Sequence, residues 1–108
     1  MPTTFNPPGS TLDLSVLELP PECLVAAAGE LDIAGASELA GVIRGLDGSG
    51  ELVTLDLRAL TFMDVAGLRA VLDARRIVGE HGRRMQILGP HHEAARVLEL
   101  TGTGALLS

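Results

Sequence analysis

Between Thr11 and Leu19 the apolar residues Leu12, Leu14 and Val16 alternate with Asp13, Ser15 and Leu17. This is the period-two pattern of a half-buried strand. Pro20-Pro21-Glu22 turns the chain, and Leu24 to Ala28 predicts a second short strand, antiparallel to the first because the connection is tight. Gly29-Glu30-Leu31-Asp32 reads as a loop that leads through Ile33-Ala34-Gly35 into a helix. There the period changes, and Ala36, Leu39, Ala40, Ile43 and Leu46 form one apolar stripe at helical spacing. Gly35, Gly41 and Gly45 each weaken an interior helical position by roughly 1 kcal/mol relative to Ala, so packing must hold this helix. Asp47-Gly48-Ser49-Gly50 ends it.

Alternation returns at Val53, Leu55 and Leu57, giving a buried strand over 52–57, followed by a loop to Asp64. A helix is predicted from Val65 to Glu80. Its core side carries Leu68, Val71, Leu72 and Val78, with Ala74 and Ile77 beside them. Asp64 is its capping residue: three positions before Gly67, its short carboxylate can accept a bond from an orphan backbone N–H. Arg69, Asp73, Arg76 and Glu80 line the outer side and alternate in sign, as a solvated face or the edge of a partner surface would. His81-Gly82 stops the helix. Met85 to Leu88 is a short buried strand, His91 to Leu100 a third helix, and Ala105-Leu106-Leu107 a last apolar turn. The order ββαβαβα predicts an α/β domain with a mixed sheet and right-handed crossovers. Residues 1–10 form a flexible leader and residues 11–108 one domain. With so few helices, one sheet face carries them and the other is weakly covered, which leaves a homodimer through the bare face open.

Composition narrows the function. Hydrophobic residues make up 46% of the 108 residues, enough for one core and too many for a disordered chain. Phe5 and Phe62 are the two aromatics, so the core is aliphatic, and platforms for stacking bases are missing. A net charge of −6 also argues against a nucleic-acid partner, which needs a basic footprint. The basic residues are all Arg, which excludes chemistry that depends on a lysine. Cys23 has no partner for an internal disulfide and reads as a small apolar filler; a reducing, cytoplasmic setting is expected. No apolar run approaches the roughly 20 residues that span a bilayer, so membrane insertion is not expected.

Candidate chemistry is sparse. Glu30, Asp32, Asp56 and Asp64 could form a carboxylate site, since loops after parallel strands share one sheet edge. No nucleophile–base pair accompanies them, and capping explains Asp64 without catalysis. A phospho-acceptor receiver domain lacks both its acidic pair and its lysine here. His81, His91 and His92 match no metal-ligand spacing. No cofactor, metal or enzymatic activity is expected.

Three stretches together resemble the STAS family, the anti-sigma factor antagonists of bacteria: Gly29-Glu30-Leu31-Asp32; Val53 to Leu57 with Leu60-Thr61-Phe62-Met63-Asp64 and Gly67-Leu68; and Val97 to Gly102. The resemblance covers about residues 11–107. It implies a mixed sheet with helices packed on one face, and a partner-switching role in transcription regulation. Such antagonists bind an anti-sigma factor, usually a serine kinase, and release a sigma factor. The kinase phosphorylates the serine after the Asp that matches Asp64. The family's Asp-Ser-Ser-Gly is here Asp64-Val65-Ala66-Gly67, so Val65 stands at a phosphorylation site it cannot serve. The resemblance points to a partner surface of Glu30, Asp32, Met63, Asp64, Val65, Ala66, Gly67, Leu68 and Arg69. Three readings follow: an antagonist that binds its anti-sigma factor constitutively; a STAS module of a transporter-associated or sensory assembly; and a small-ligand- or lipid-binding domain or diverged enzyme. All three expect Val65 to lie near solvent.

Overall fold

In the computed structural model, which describes residues 3–46 and 51–90, the alternating segments form a five-stranded sheet whose spatial order follows the chain. The strands are β1 (Thr3–Phe5), β2 (Leu12–Leu19), β3 (Glu22–Leu31), β4 (Leu52–Met63) and β5 (Arg84–Leu88). The pairs β1–β2 and β2–β3 are antiparallel, whereas β3–β4 and β4–β5 are parallel. A parallel step needs a long crossover. Two helices supply them, α1 (Ile33–Gly45) and α2 (Val65–Glu80). The mixed sheet with helices on one face is therefore as the sequence predicts. The helix expected over 91–100, the apolar turn at 105–107 and the turn at 47–50 lie outside the described residues.

The hairpin is tighter than the pattern implied: Leu19 pairs with Glu22 across Pro20-Pro21, so β3 starts two residues before Leu24. A further strand stands inside the expected leader. Thr3, Thr4 and Phe5 pair with Val16, Ser15 and Leu14 on the outer edge of β2. All three side chains are exposed, so no hydrophobic alternation marks them. Backbone hydrogen bonding to an open edge makes this strand.

β3 and β4 also run further than the pattern suggested, β3 to Leu31 and β4 to Met63. In β4 the buried residues are Val53, Leu55 and Leu57, and then Leu60 and Met63. The spacing changes from two to three because β4 is bulged twice. Ala26 pairs with Asp56 but Ala28 with Ala59, and Gly29 pairs with Leu60 but Glu30 with Phe62. Each shift inserts one residue into β4, which interrupts alternation without ending the strand.

The helix-side strand positions, including Leu12, Leu14, Val25, Val53, Leu55 and Leu57, join Leu39, Ile43, Val71 and Val78 in one buried aliphatic cluster. Cys23 is part of it, 3% exposed. On the opposite face Ser15, Leu17, Leu24, Ala26, Leu52 and Thr54 are half-buried. Two layers around one core is the usual economy of a small domain.

Candidate functional site

The site is built by the register of the two central strands. Leu31 and Met63 are partners at the ends of β3 and β4, and each is followed by an Asp that opens a helix. The Asp32 side chain accepts from the backbone N–H groups of Ala34 at 3.1 Å and Gly35 at 3.0 Å. The Asp64 side chain accepts from Gly67 N–H at 2.9 Å. Both Asp residues are extended, as N-caps are. Because the strands are parallel and in register there, the two caps stand level, and α1 and α2 leave the same sheet edge side by side. The backbone N–H of Asp64 donates to the Leu31 carbonyl at 3.4 Å, tying the two ends together.

Packing at this edge is close. A Cβ on Gly67 would stand 2.2 Å from the Leu31 carbonyl oxygen and 2.9 Å from Met63 Cγ. The first turn of α2 therefore lies on the end of β3 with no room for a side chain. Its opposite side is free: Val65, the first residue of α2, is 48% exposed, and Ile33, the first residue of α1, is 77% exposed. Phe62, beside Glu30 in the sheet register, is 45% exposed. Three of the five large exposed hydrophobics of the described residues thus gather at one end of the sheet. Isolated exposed apolar residues need no explanation, but a group does.

The residues expected at the partner surface divide into two sets. Glu30, Val65 and Arg69 are exposed, and Asp32, Asp64 and Ala66 are half-buried around them. Met63, Gly67 and Leu68 are in the core, with Met63 1% and Leu68 4% exposed. They present little surface for contact. Ile33 and Phe62 are exposed at this edge with Val65, and they were not singled out from the sequence. Ile33 is in phase with the apolar stripe of α1, which reads as core. It protrudes because the helix begins beyond the last buried pair of the sheet. Glu30 is the last exposed residue of β3 rather than part of a loop.

Oδ1 of both Asp32 and Asp64 is engaged by helix N–H groups. Among the described residues no group of three His, Cys, Asp or Glu side chains could hold a metal ion. Asp56, the remaining acidic candidate, takes Arg58 in a two-pronged contact at 3.0 and 2.9 Å. These hydrogen bonds and the carboxylate charge raise the guanidinium further above its ordinary value, so it stays charged. A groove of about 350 Å³ runs from Ile33 and Val65 along the seam between α1 and α2. A larger hollow, about 740 Å³, lies between β1, β2 and α1 and is lined by residues such as Phe5, Val16 and Val42. No described helix is long and apolar enough to cross a membrane.

A mixed sheet with two level, capped helix starts at one edge is the architecture of a small α/β module. The family model described as "Mlab, STAS domain" matches residues 12–108, and the chain belongs to the STAS family. Solved structures share the fold. An anti-sigma factor antagonist from Mycobacterium paratuberculosis is 21% identical, with 95% of this chain and 87% of that one covered and a TM-score of 0.75. A sulfate transporter family protein from Wolinella succinogenes is 16% identical, with 85% and 75% covered and a TM-score of 0.70. The Bacillus cell fate determinant SpoIIAA in its phosphorylated form is 21% identical, with 85% and 86% covered and a TM-score of 0.64. The chain spans 20% of the Mglu chain, which contains the same fold with a TM-score of 0.66. No curated protein sequence matches.

Proposed function

We propose that this chain is a non-enzymatic, protein-binding STAS module that docks an anti-sigma factor of the serine-kinase type through the level helix starts of α1 and α2. Its docking is not switched by phosphate at position 65. The observation that carries this reading is Val65 itself. It is 48% exposed at the first residue of a capped helix, next to an exposed Ile33. A phosphate at that position would add nearly two negative charges beside Asp64 and break an apolar contact. Valine has no hydroxyl to accept it, so the surface stays apolar and control passes to abundance or to another signal. The likeness to anti-sigma factor antagonists supports the choice of partner.

The likeness to a sulfate transporter family protein favours a second reading, a module docked on a transporter assembly by the same surface. Affinity capture with the full chain separates the two: a kinase-like anti-sigma factor supports the first, ATPase or permease subunits the second. On the first reading, Val65→Glu weakens binding to the captured partner at least tenfold while the fold survives. Incubation with the kinase and ATP leaves the wild-type chain unmodified, whereas Val65→Ser acquires one phosphate. Unchanged affinity in Val65→Glu, or phosphate on wild-type Ser37 or Thr61, rules the reading out.

A further inference from the structure

The seam between α1 and α2 has properties that the helix starts alone do not explain. Its floor is made of small residues, Ala36 and Ala40 from α1 and Ala66 and Ala70 from α2. Small side chains facing one another on adjacent helices leave a furrow into which a third element can settle closely. At its mouth stand the exposed Ile33 and Val65. Its flanks carry two exposed guanidiniums, Arg44 on α1 and Arg69 on α2.

The chain carries a net charge of −6. Two arginines are engaged in ion pairs: Arg58 binds Asp56 at 2.9 Å, and Arg76 binds Glu80 at 2.7 Å. Arg44 and Arg69 make no ion pair with a described residue. The carboxylates nearby are committed elsewhere. Asp32 and Asp64 cap their helices, Glu38 accepts from the Ser10 hydroxyl at 2.8 Å, and Asp73, the one acid lining the furrow, faces Arg76 at 3.9 Å. Two positive charges without an ion pair among the described residues thus stand beside an apolar furrow. Anions are the complement of such a surface.

The spacing of the charges follows from the register. Ile33 and Val65 are level, because each follows a cap set by the Leu31–Met63 pair. Arg44 lies eleven residues beyond Ile33 and Arg69 four beyond Val65. The difference of seven residues corresponds to about 10 Å along the furrow at 1.5 Å per residue. Two turns of a helix laid in the furrow cover that distance. Carboxylates six residues apart, about 9 Å along the axis and about 120° apart around it, then lie on opposite sides of an apolar stripe and reach one arginine each.

We infer that the α1–α2 furrow receives an amphipathic helix of a partner protein, with its apolar stripe on the alanine floor and two carboxylates about two turns apart meeting Arg69 and Arg44. This rests on the helix starts being a docking surface, and it adds the chemistry of what docks there. The helix-in-groove mode is a recurrent form of peptide recognition.

The test uses the full chain and a designed helical peptide with an Ala/Leu stripe and Glu at positions i and i+6, on either side of that stripe, compared with the same peptide carrying Gln or Lys there. Titration calorimetry at low salt should show the Glu peptide binding at least tenfold more tightly than the Gln peptide, and the Lys peptide not binding. Arg44→Glu and Arg69→Glu should each weaken the Glu peptide at least fivefold and allow the Lys peptide to bind. Circular dichroism establishes that each variant is folded. No binding of the Glu peptide, equal binding of Glu and Gln peptides, or unchanged affinity in both arginine variants overturns the inference. If Val65→Glu abolishes capture of the natural partner while both arginine variants retain it, the furrow assignment fails and the docking surface stands. If Val65→Glu also leaves partner capture unchanged, the docking surface fails too.

Discussion

Two glycines show how local space sets the effect of one methyl group. Gly67 is pressed onto the end of β3, and a Cβ there would meet the Leu31 carbonyl oxygen at 2.2 Å. Gly67→Ala should destabilise the chain by roughly 1–3 kcal/mol, because backbone must move to admit the methyl. Gly41 in α1 has nothing within 4 Å of the same point and a helical backbone. Gly41→Ala should stabilise by about 0.5–1 kcal/mol through the entropy of the unfolded chain. Thermal melts should move in opposite directions, with about 4–8 °C per kcal/mol for a domain near this size; a stabilised Gly67→Ala would contradict the close approach. Asp64→Ala removes the acceptor for the Gly67 N–H and should cost about 1 kcal/mol, with Asp64→Asn retaining most of it. The same melts check this. Val65 contributes little to the core and should tolerate Glu with a change of under about 0.5 kcal/mol, so a binding defect there would report contact and not misfolding.

At the scale of elements, the level placement of the two helices depends on β4. Its double bulge inserts two residues between Asp56 and Phe62 relative to β3. Without them Met63 would not partner Leu31 and the caps would not be level. The sheet is layered in stability as well as in space. β3 and β4 are central and buried on the helix side, whereas β1 has three exposed residues on an edge. Hydrogen exchange should therefore be slowest at the amides of 23–27 and 53–57 and fastest, within the sheet, at 3–5. Equal protection of β1 would mean that its edge pairing is as strong as the core pairing.

At the largest scale, the two described helices and the sheet share one aliphatic core, so the edge with the helix starts inherits its rigidity from residues far from it. Leu55 is fully buried at the centre of β4. Leu55→Ala should cost about 2–5 kcal/mol, a large part of the 5–15 kcal/mol typical of a whole domain. Urea denaturation with an unchanged slope measures it; a loss below about 1 kcal/mol would show that the site collapses around the cavity or is not central to the core. Charge acts at the same scale. The net −6 should disfavour acidic partners over most of the surface, so recognition of an acidic segment depends on the two arginines at the furrow. Salt should weaken that recognition through screening.

Much of this was legible in the sequence because periodicity reports burial. The exposure of Val65 was an expectation of the family resemblance, whereas the stripes of α1 and α2, the hairpin and Asp64 as a cap follow from spacing and residue chemistry alone. So does the missing hydroxyl at position 65, since no fold can add one. What spacing could not provide is where a pattern stops. Bulges broke the alternation of β4 at Leu57, and an edge strand of exposed residues left no alternation at all. Nor does a helical stripe say where its helix projects beyond the sheet. The exposure of Ile33 was therefore not foreseen, and the resemblance placed Met63 and Leu68 on a partner surface although both are buried. Only the pairing of Leu31 with Met63 decided that two separate Asp-capped helix starts form one surface. Register is a property of two strands together, and neither strand carries it in its own sequence.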